Sequence, residues 1–140
     1  FRSHRLALGF EAVDALFEHR DLGQRRVPDH RQLGKGPMLV LSDKSLIAPP
    51  KLTAWVESVA ADAGISLQLD MFSNGGTDGG AVHVSGTGIP TVVMGPATRY
   101  GHCAASIADC RDIIQTQQLL SALISHLTCE TVAHLTDFRC

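Results

Sequence analysis

No Cys-x-x-C pair, no Gly-Lys-Ser/Thr and no Gly-x-Gly-x-x-Gly occurs in this 140-residue chain. The first absence removes zinc-finger spacing, and the other two remove the common glycine loops that cradle phosphates. Cys103, Cys110, Cys129 and Cys140 all fall in the last 40 residues, and a disulfide scaffold would be unusual at this length. Free thiols in a reducing, cytoplasmic setting are the expectation. His102 and Cys103 adjoin, but neighbours in an extended segment point to opposite sides, which makes a poor nucleophile pair. Twelve basic and 14 acidic residues give a net charge of −2, so no field of one sign points to nucleic acid or an anionic membrane. No apolar run approaches the roughly 20 residues of a membrane-spanning helix. The opening FRSHRLALGF is basic, but neither a long apolar core nor a small-residue cleavage site comes after it, so it does not read as a signal peptide.

The chain has the composition of a globular domain, 44% hydrophobic and 19% charged. Residues 1–32 stand apart. Six of the nine arginines lie there, "EAVDALFEH" has length for two helical turns, and Gly23 and Pro28 break the polar stretch after it. From Leu33 the pattern sharpens. "PMLVLSD" is a continuous apolar run, the mark of a covered strand. Pro49 and Pro50 introduce a helix with Leu52, Trp55, Val56, Val59 and Ala63 on one face, stopped by Gly64. "SLQLDMFS" alternates Leu67, Leu69 and Met71 against Gln68 and Asp70, a strand with one face less buried. "TDGGAVHVSG" suits a short helix capped by Thr77 or Asp78, and "IPTVVMG" a buried strand. Asp109 and Asp112 open a last helix as a relative of the capping box, with Ile113, Thr116, Leu120, Leu123 and Leu127 inward.

The expected class is therefore α/β, in the order βαβαβα, with a parallel sheet near Met38–Ser42, Leu67–Phe72 and Thr91–Gly95. Ligands gather at the carboxyl ends of parallel strands. "SNGGTDGG" and "ATRYGH" come after the second and third strands, so both exits are expected at that edge. Each feature also has a plainer reading. The glycines make a tight turn, His102 is a surface histidine, His83 packs or caps, and His126 sits on the polar face of the last helix.

Taken in order, "LGKGP", "GGTDGG", "RYGH" and "DCRD" closely resemble the C-terminal part of the dinuclear-metal glutamyl/leucyl aminopeptidases, the tetrahedral aminopeptidases also labelled endoglucanases. The resemblance covers about Leu33 to Leu127. It implies part of a zinc-peptidase-like catalytic domain, truncated relative to a complete member, and a hydrolase that removes N-terminal residues from peptides. It implies two divalent metal ions, zinc or cobalt, which polarise the scissile carbonyl and acidify a shared water. A glutamate of the family accepts that water's proton. By the R-Y-x-H motif, His102 is implied as a metal ligand. Gly75, Gly76, Thr77, Asp78, Arg99 and Tyr100 are the residues expected to line the peptide. A homo-oligomer is the family's assembly.

The chain lacks the family's Glu-Glu pair, and no catalytic residue is assigned in it. Asp14 falls near the place of one more family aspartate, but its flanks do not match. Residues 1–32 read as disordered or out-of-frame sequence, 33–128 as the C-terminal part of a catalytic domain and 129–140 as a tail. Two functions stand: part of a metal-dependent aminopeptidase that is inactive alone, or a non-catalytic α/β remnant or subunit-interaction module. The fragment is expected to be poorly stable or self-associating, because an unpaired strand edge and an uncovered apolar face invite aggregation.

Overall fold

A computed structural model describes residues 31–137. The expectations for residues 1–30, Asp14 among them, and for Cys140 lie outside the described residues. The first strand, β1 (Met38–Ser42), is the centre of a three-stranded sheet in the order β2-β1-β3. Helix α1 (Pro50–Asp62) leads to β2 (Gln68–Met71), which pairs parallel with β1, Leu39 opposite Leu69 and Val40 opposite Asp70. Helix α2 (Gly79–His83) precedes β3 (Val93–Gly95). A hairpin of β4 (Thr98–Arg99) and β5 (Ile107–Ala108) comes next, then α3 (Cys110–His126) and α4 (Cys129–Thr136).

The α/β class holds, but the sheet is mixed. β3 runs antiparallel to β1, Met38 opposite Gly95 and Val40 opposite Val93, which corrects the expectation of a wholly parallel sheet. Positive φ at Gly86 (59°) and Gly88 (96°) turns the chain soon after α2. The chain therefore enters β3 beside the carboxyl end of β1 and leaves it at the amino end. The two motif loops lie after opposite ends of the sheet, and the expectation of a shared exit edge is corrected.

One apolar cluster holds the helices on the sheet. Leu39 of β1 packs with Leu52, Val56, Val59 and Ala60 of α1, Leu119 and Leu123 of α3 and Leu135 of α4. α4 lies in the stretch read as a tail. Gly64 ends α1 at φ +67°, where Ile65 N–H donates to Ala60 O at 2.9 Å. Ala63, expected on the inner face of α1, is exposed.

Two burial patterns depart from expectation. On β2, Asp70 is 6% exposed while Leu69 and Met71 are 40% and 55% exposed, the reverse of the expected alternation. β2 is an edge strand, and Arg31 covers Asp70 through an ion pair of 2.9 Å while stacking over Phe72. On α3, Asp112, Leu119 and Leu123 are buried, whereas Ile113, Leu120 and Leu127 are exposed. Asp112 decides the helix's rotation. It does not close a capping box; its oxygens accept Gly34 N–H at 2.7 Å and Gly36 N–H at 2.8 Å, 76 to 78 residues away. Asp109 does cap α3, through Arg111 N–H at 2.8 Å. Thus "LGKGP" and "DCRD", far apart in sequence, are two halves of one clamp.

Candidate functional site

The "GGTDGG" loop leaves β2 at the carboxyl edge of the parallel pair and is seated on the turn that ends β1. Asp43 is the anchor. Its Oδ2 accepts Thr77 N–H at 3.0 Å and Thr77 Oγ1–H at 2.6 Å, and its Oδ1 accepts Ser45 N–H at 2.6 Å and Ser45 Oγ–H at 2.8 Å. The Thr77 hydroxyl, then the Ser45 amide, hold the Asp43 carboxyl below its ordinary value of 3.8, at about 2. Lys44 N–H adds a main-chain bond to Gly75 O at 2.9 Å.

The glycines serve close approach. A Cβ on Gly80 would lie 2.5 Å from Ser45 Cβ, and one on Gly79 2.6 Å from Val93 Cγ2. At Gly76 it would meet Ser45 Oγ at 3.0 Å. Asp78 is the N-cap of α2 but makes no side-chain capping bond, and Thr77 turns its hydroxyl to Asp43, so neither caps as expected. Asp78 and Gly76 face solvent.

His102 sits in the turn between β4 and β5. Cys103 N–H donates to Tyr100 O at 3.2 Å and Ser106 Oγ–H to the same oxygen at 3.0 Å. Tyr100 and His102 both have left-handed backbones, φ 58° and 62°, a conformation that costs a non-glycine residue about 1–2 kcal/mol. His102 is exposed, and Tyr100 is 38% exposed. Arg99 spends donors on carbonyls, Arg31 O at 3.0 Å and Thr98 O at 3.4 Å.

Gly75, Gly76, Thr77 and Asp78 are thus held together at one edge. Arg99, Tyr100 and His102 share the hairpin, which the chain reaches from the other end of the sheet. Among the described residues, no group of three or more His, Cys, Asp or Glu converges as a metal site. Asp43 went unnoticed in the sequence, although an aspartate closing a buried strand, with serine two residues on, is the signal of an Asx-type turn. Cys103, Cys110 and Cys129 are free and exposed. No described helix is long and apolar enough to cross a membrane.

A mixed α/β layer with glycine-seated loops at its strand ends serves many unrelated activities, so the group is identified by likeness to known proteins. The chain belongs to the M42 glutamyl aminopeptidase family, whose model matches residues 8–119. That span takes in residues 8–32, which the motifs alone did not reach. Glutamyl aminopeptidase of Lactococcus lactis subsp. cremoris is 33% identical over 110 residues, 79% of this chain and 31% of that protein. The TET aminopeptidase of Thaumarchaeota archaeon SCGC AB-539-E09 superposes with a TM-score of 0.73 at 39% identity, over 75% of this chain and 30% of that one. The TET1 peptidase of Pyrococcus horikoshii, described as assembling into a tetrahedron or a large octahedral shell, matches at 29% identity and a TM-score of 0.62, over 69% and 28% of the two chains. The chain spans about a third of the length of these relatives.

Proposed function

We propose that the chain is part of an aminopeptidase that releases N-terminal residues from peptides, and that it supplies peptide-lining loops and one metal ligand. Family membership is the observation that carries this reading. Gly75, Gly76, Thr77 and Asp78 are assigned to the peptide's main chain, and Arg99 and Tyr100 to its orientation. His102 is assigned as ligand to a divalent ion, zinc or cobalt. Left-handed backbone at Tyr100 and His102 supports a functional hairpin, because such strain concentrates at functional sites. Assembly into a homo-oligomer and a cytoplasmic location belong to the same proposal.

The described residues by themselves do not fit a two-ion centre. His102 is exposed, and no second and third ligand stand with it. One imidazole does not fix a catalytic ion, so no step of hydrolysis is derived through these residues. The chain's own groups bind and orient. Backbone seated close to Ser45 offers peptide groups to a substrate main chain, and the Asp78 carboxylate offers a counter-charge to an ammonium.

A second reading has its own support. The strand exits at opposite ends of the sheet, and exposed Ile113, Ile114, Leu120, Ile124 and Leu127 along α3, favour a non-catalytic module that contacts other subunits. Incubating the purified chain with aminoacyl-nitroanilides and Zn²⁺ or Co²⁺ tests whether it acts alone, and the Zn²⁺ titration that follows separates the two readings. No turnover is expected from the chain alone, and chelator-sensitive hydrolysis would overturn that expectation. Calorimetric titration of Zn²⁺ into the wild type and His102→Ala tests the ligand: equal affinities would remove His102 from the metal site.

A further inference from the structure

We propose that Asp43 is a positioning residue for peptide recognition, holding Thr77 and, through it, the Gly75–Asp78 backbone in the shape that receives an extended peptide. The inference rests on the reading of that loop as peptide-lining and deepens it by naming the group that sets the loop's geometry.

Asp43 joins two segments 34 residues apart. One carboxylate oxygen takes both donors of Thr77, and the other takes both donors of Ser45. Hydrogen bonds to an ionised acceptor are the stronger kind, and a pair converging on one residue fixes its backbone and its side-chain rotamer together. Main-chain bonds stitch the loop on either side, Phe72 N–H to Ser42 O and Lys44 N–H to Gly75 O, each at 2.9 Å. Gly76 and Gly80 press against Ser45, which Asp43 itself orients. The loop therefore has little freedom to slide over the end of β1. Its outward side, Asn74, Gly76 and Asp78, is exposed. A peptide's amide groups and free ammonium are the chemistry that such a rigid backbone, with a carboxylate at its far end, complements. Preorganising it removes an ordering cost from binding.

The test uses the 140-residue chain with trialanine as probe, affinity being read by equilibrium dialysis and loop order by hydrogen exchange over residues 72–82. Asp43→Ala and Thr77→Val are each expected to bind trialanine about tenfold more weakly. Exchange across the loop should accelerate in both, while exchange in β1 and α3 stays as in the wild type. Thr77→Ser, which keeps the hydroxyl that Asp43 accepts, should recover most of the affinity that Thr77→Val loses. The double variant should be no weaker than the weaker single, because both remove the same tie. Additive losses, wild-type affinity in Asp43→Ala, or exchange that accelerates throughout β1 and α3 as much as in the loop would each overturn the positioning role. If the wild type itself does not bind trialanine, the peptide-lining reading falls and the positioning role with it. Binding that Asp43→Ala leaves intact removes the positioning role alone.

Discussion

Between the Gly75–Gly80 loop and the Tyr100–His102 turn, glycine and backbone strain are distributed against intuition. Gly75, Gly76, Gly79 and Gly80 do not have positive φ; in the second loop φ is positive at Tyr100 and His102 and not at Gly101. The first loop uses glycine to bring backbone against Ser45 and Val93 and is tied down by Asp43. The second holds bulky side chains in a conformation that glycine would adopt more readily. A glycine-rich motif and a strained turn are thus different physical devices. One achieves a fixed shape through contact, the other stores strain in an exposed hairpin.

The sharpest way to break this contrast is Gly80→Ala. Gly80 lies in the first turn of α2, where alanine alone is worth up to about 1 kcal/mol in helix propensity. Its Cβ, however, would sit 2.5 Å from Ser45 Cβ and 3.2 Å from Ser45 O. Overpacking of this kind costs about 2–3 kcal/mol, so a net loss is expected in urea unfolding. Ser45→Gly in the same chain should recover much of it. A stabilised Gly80→Ala would mean that the glycines serve flexibility after all.

Acid comes next, because it loosens one loop through a single group. The Asp43 carboxyl is held at about 2 by Thr77 and Ser45, against 3.8 unperturbed. Its folded value is depressed, so its contribution is fully present above about pH 4 and is lost as pH falls toward 2. Exchange protection over residues 72–82 should decline across that window in the wild type. In Thr77→Val the decline should begin at higher pH. Identical profiles in the two chains would show that Thr77 is not the group that holds the carboxylate.

The same division separates the features legible in the sequence from those that were not. The apolar run at Met38–Ser42 and the spaced face of α1 were readable, because burial on a period leaves its mark in composition. The direction of β3 was not, since the chain turns at Gly86 and Gly88, whose positive φ no apolar pattern reports. α3 carries two apolar stripes, and periodicity alone chose Ile113, Thr116, Leu120 and Leu127 together with Leu123, of which Leu123 is buried. Asp112 binding the Gly34 and Gly36 amides selected the other one, an anchor that no local pattern announces. The motif loops were visible as sequence, yet their anchors, Asp43 and Ser45, looked like an ordinary strand end. The His102 side of the site offered the motif itself and nothing more, because left-handed φ at a histidine has no sequence signature.

The second loop predicts effects of opposite sign. His102→Gly should relieve a left-handed residue, offset in part by glycine's greater chain entropy. A net gain of about 0.5–1 kcal/mol is expected. A loss would mean that the side chain makes a contact worth more than the strain. For His102, the gain in stability should come with weaker Zn²⁺ binding, the pairing expected where strain is retained for function.

The smallest effect belongs to Gly101, the residue between the two strained ones. Its φ is not positive, and a Cβ there meets nothing closer than Thr98 Oγ1 at 3.8 Å, an ordinary contact. Gly101→Ala therefore fits the native conformation without a clash. It should restrict the unfolded chain and stabilise by about 0.4–1 kcal/mol, measured by urea unfolding beside Gly80→Ala. The two substitutions are chemically identical and both fall in motif loops, so opposite signs would isolate close approach as the reason for glycine in the first loop. If Gly101→Ala destabilises as strongly as Gly80→Ala, the hairpin also depends on a backbone approach at Gly101, and the division between an anchored loop and a strained turn collapses.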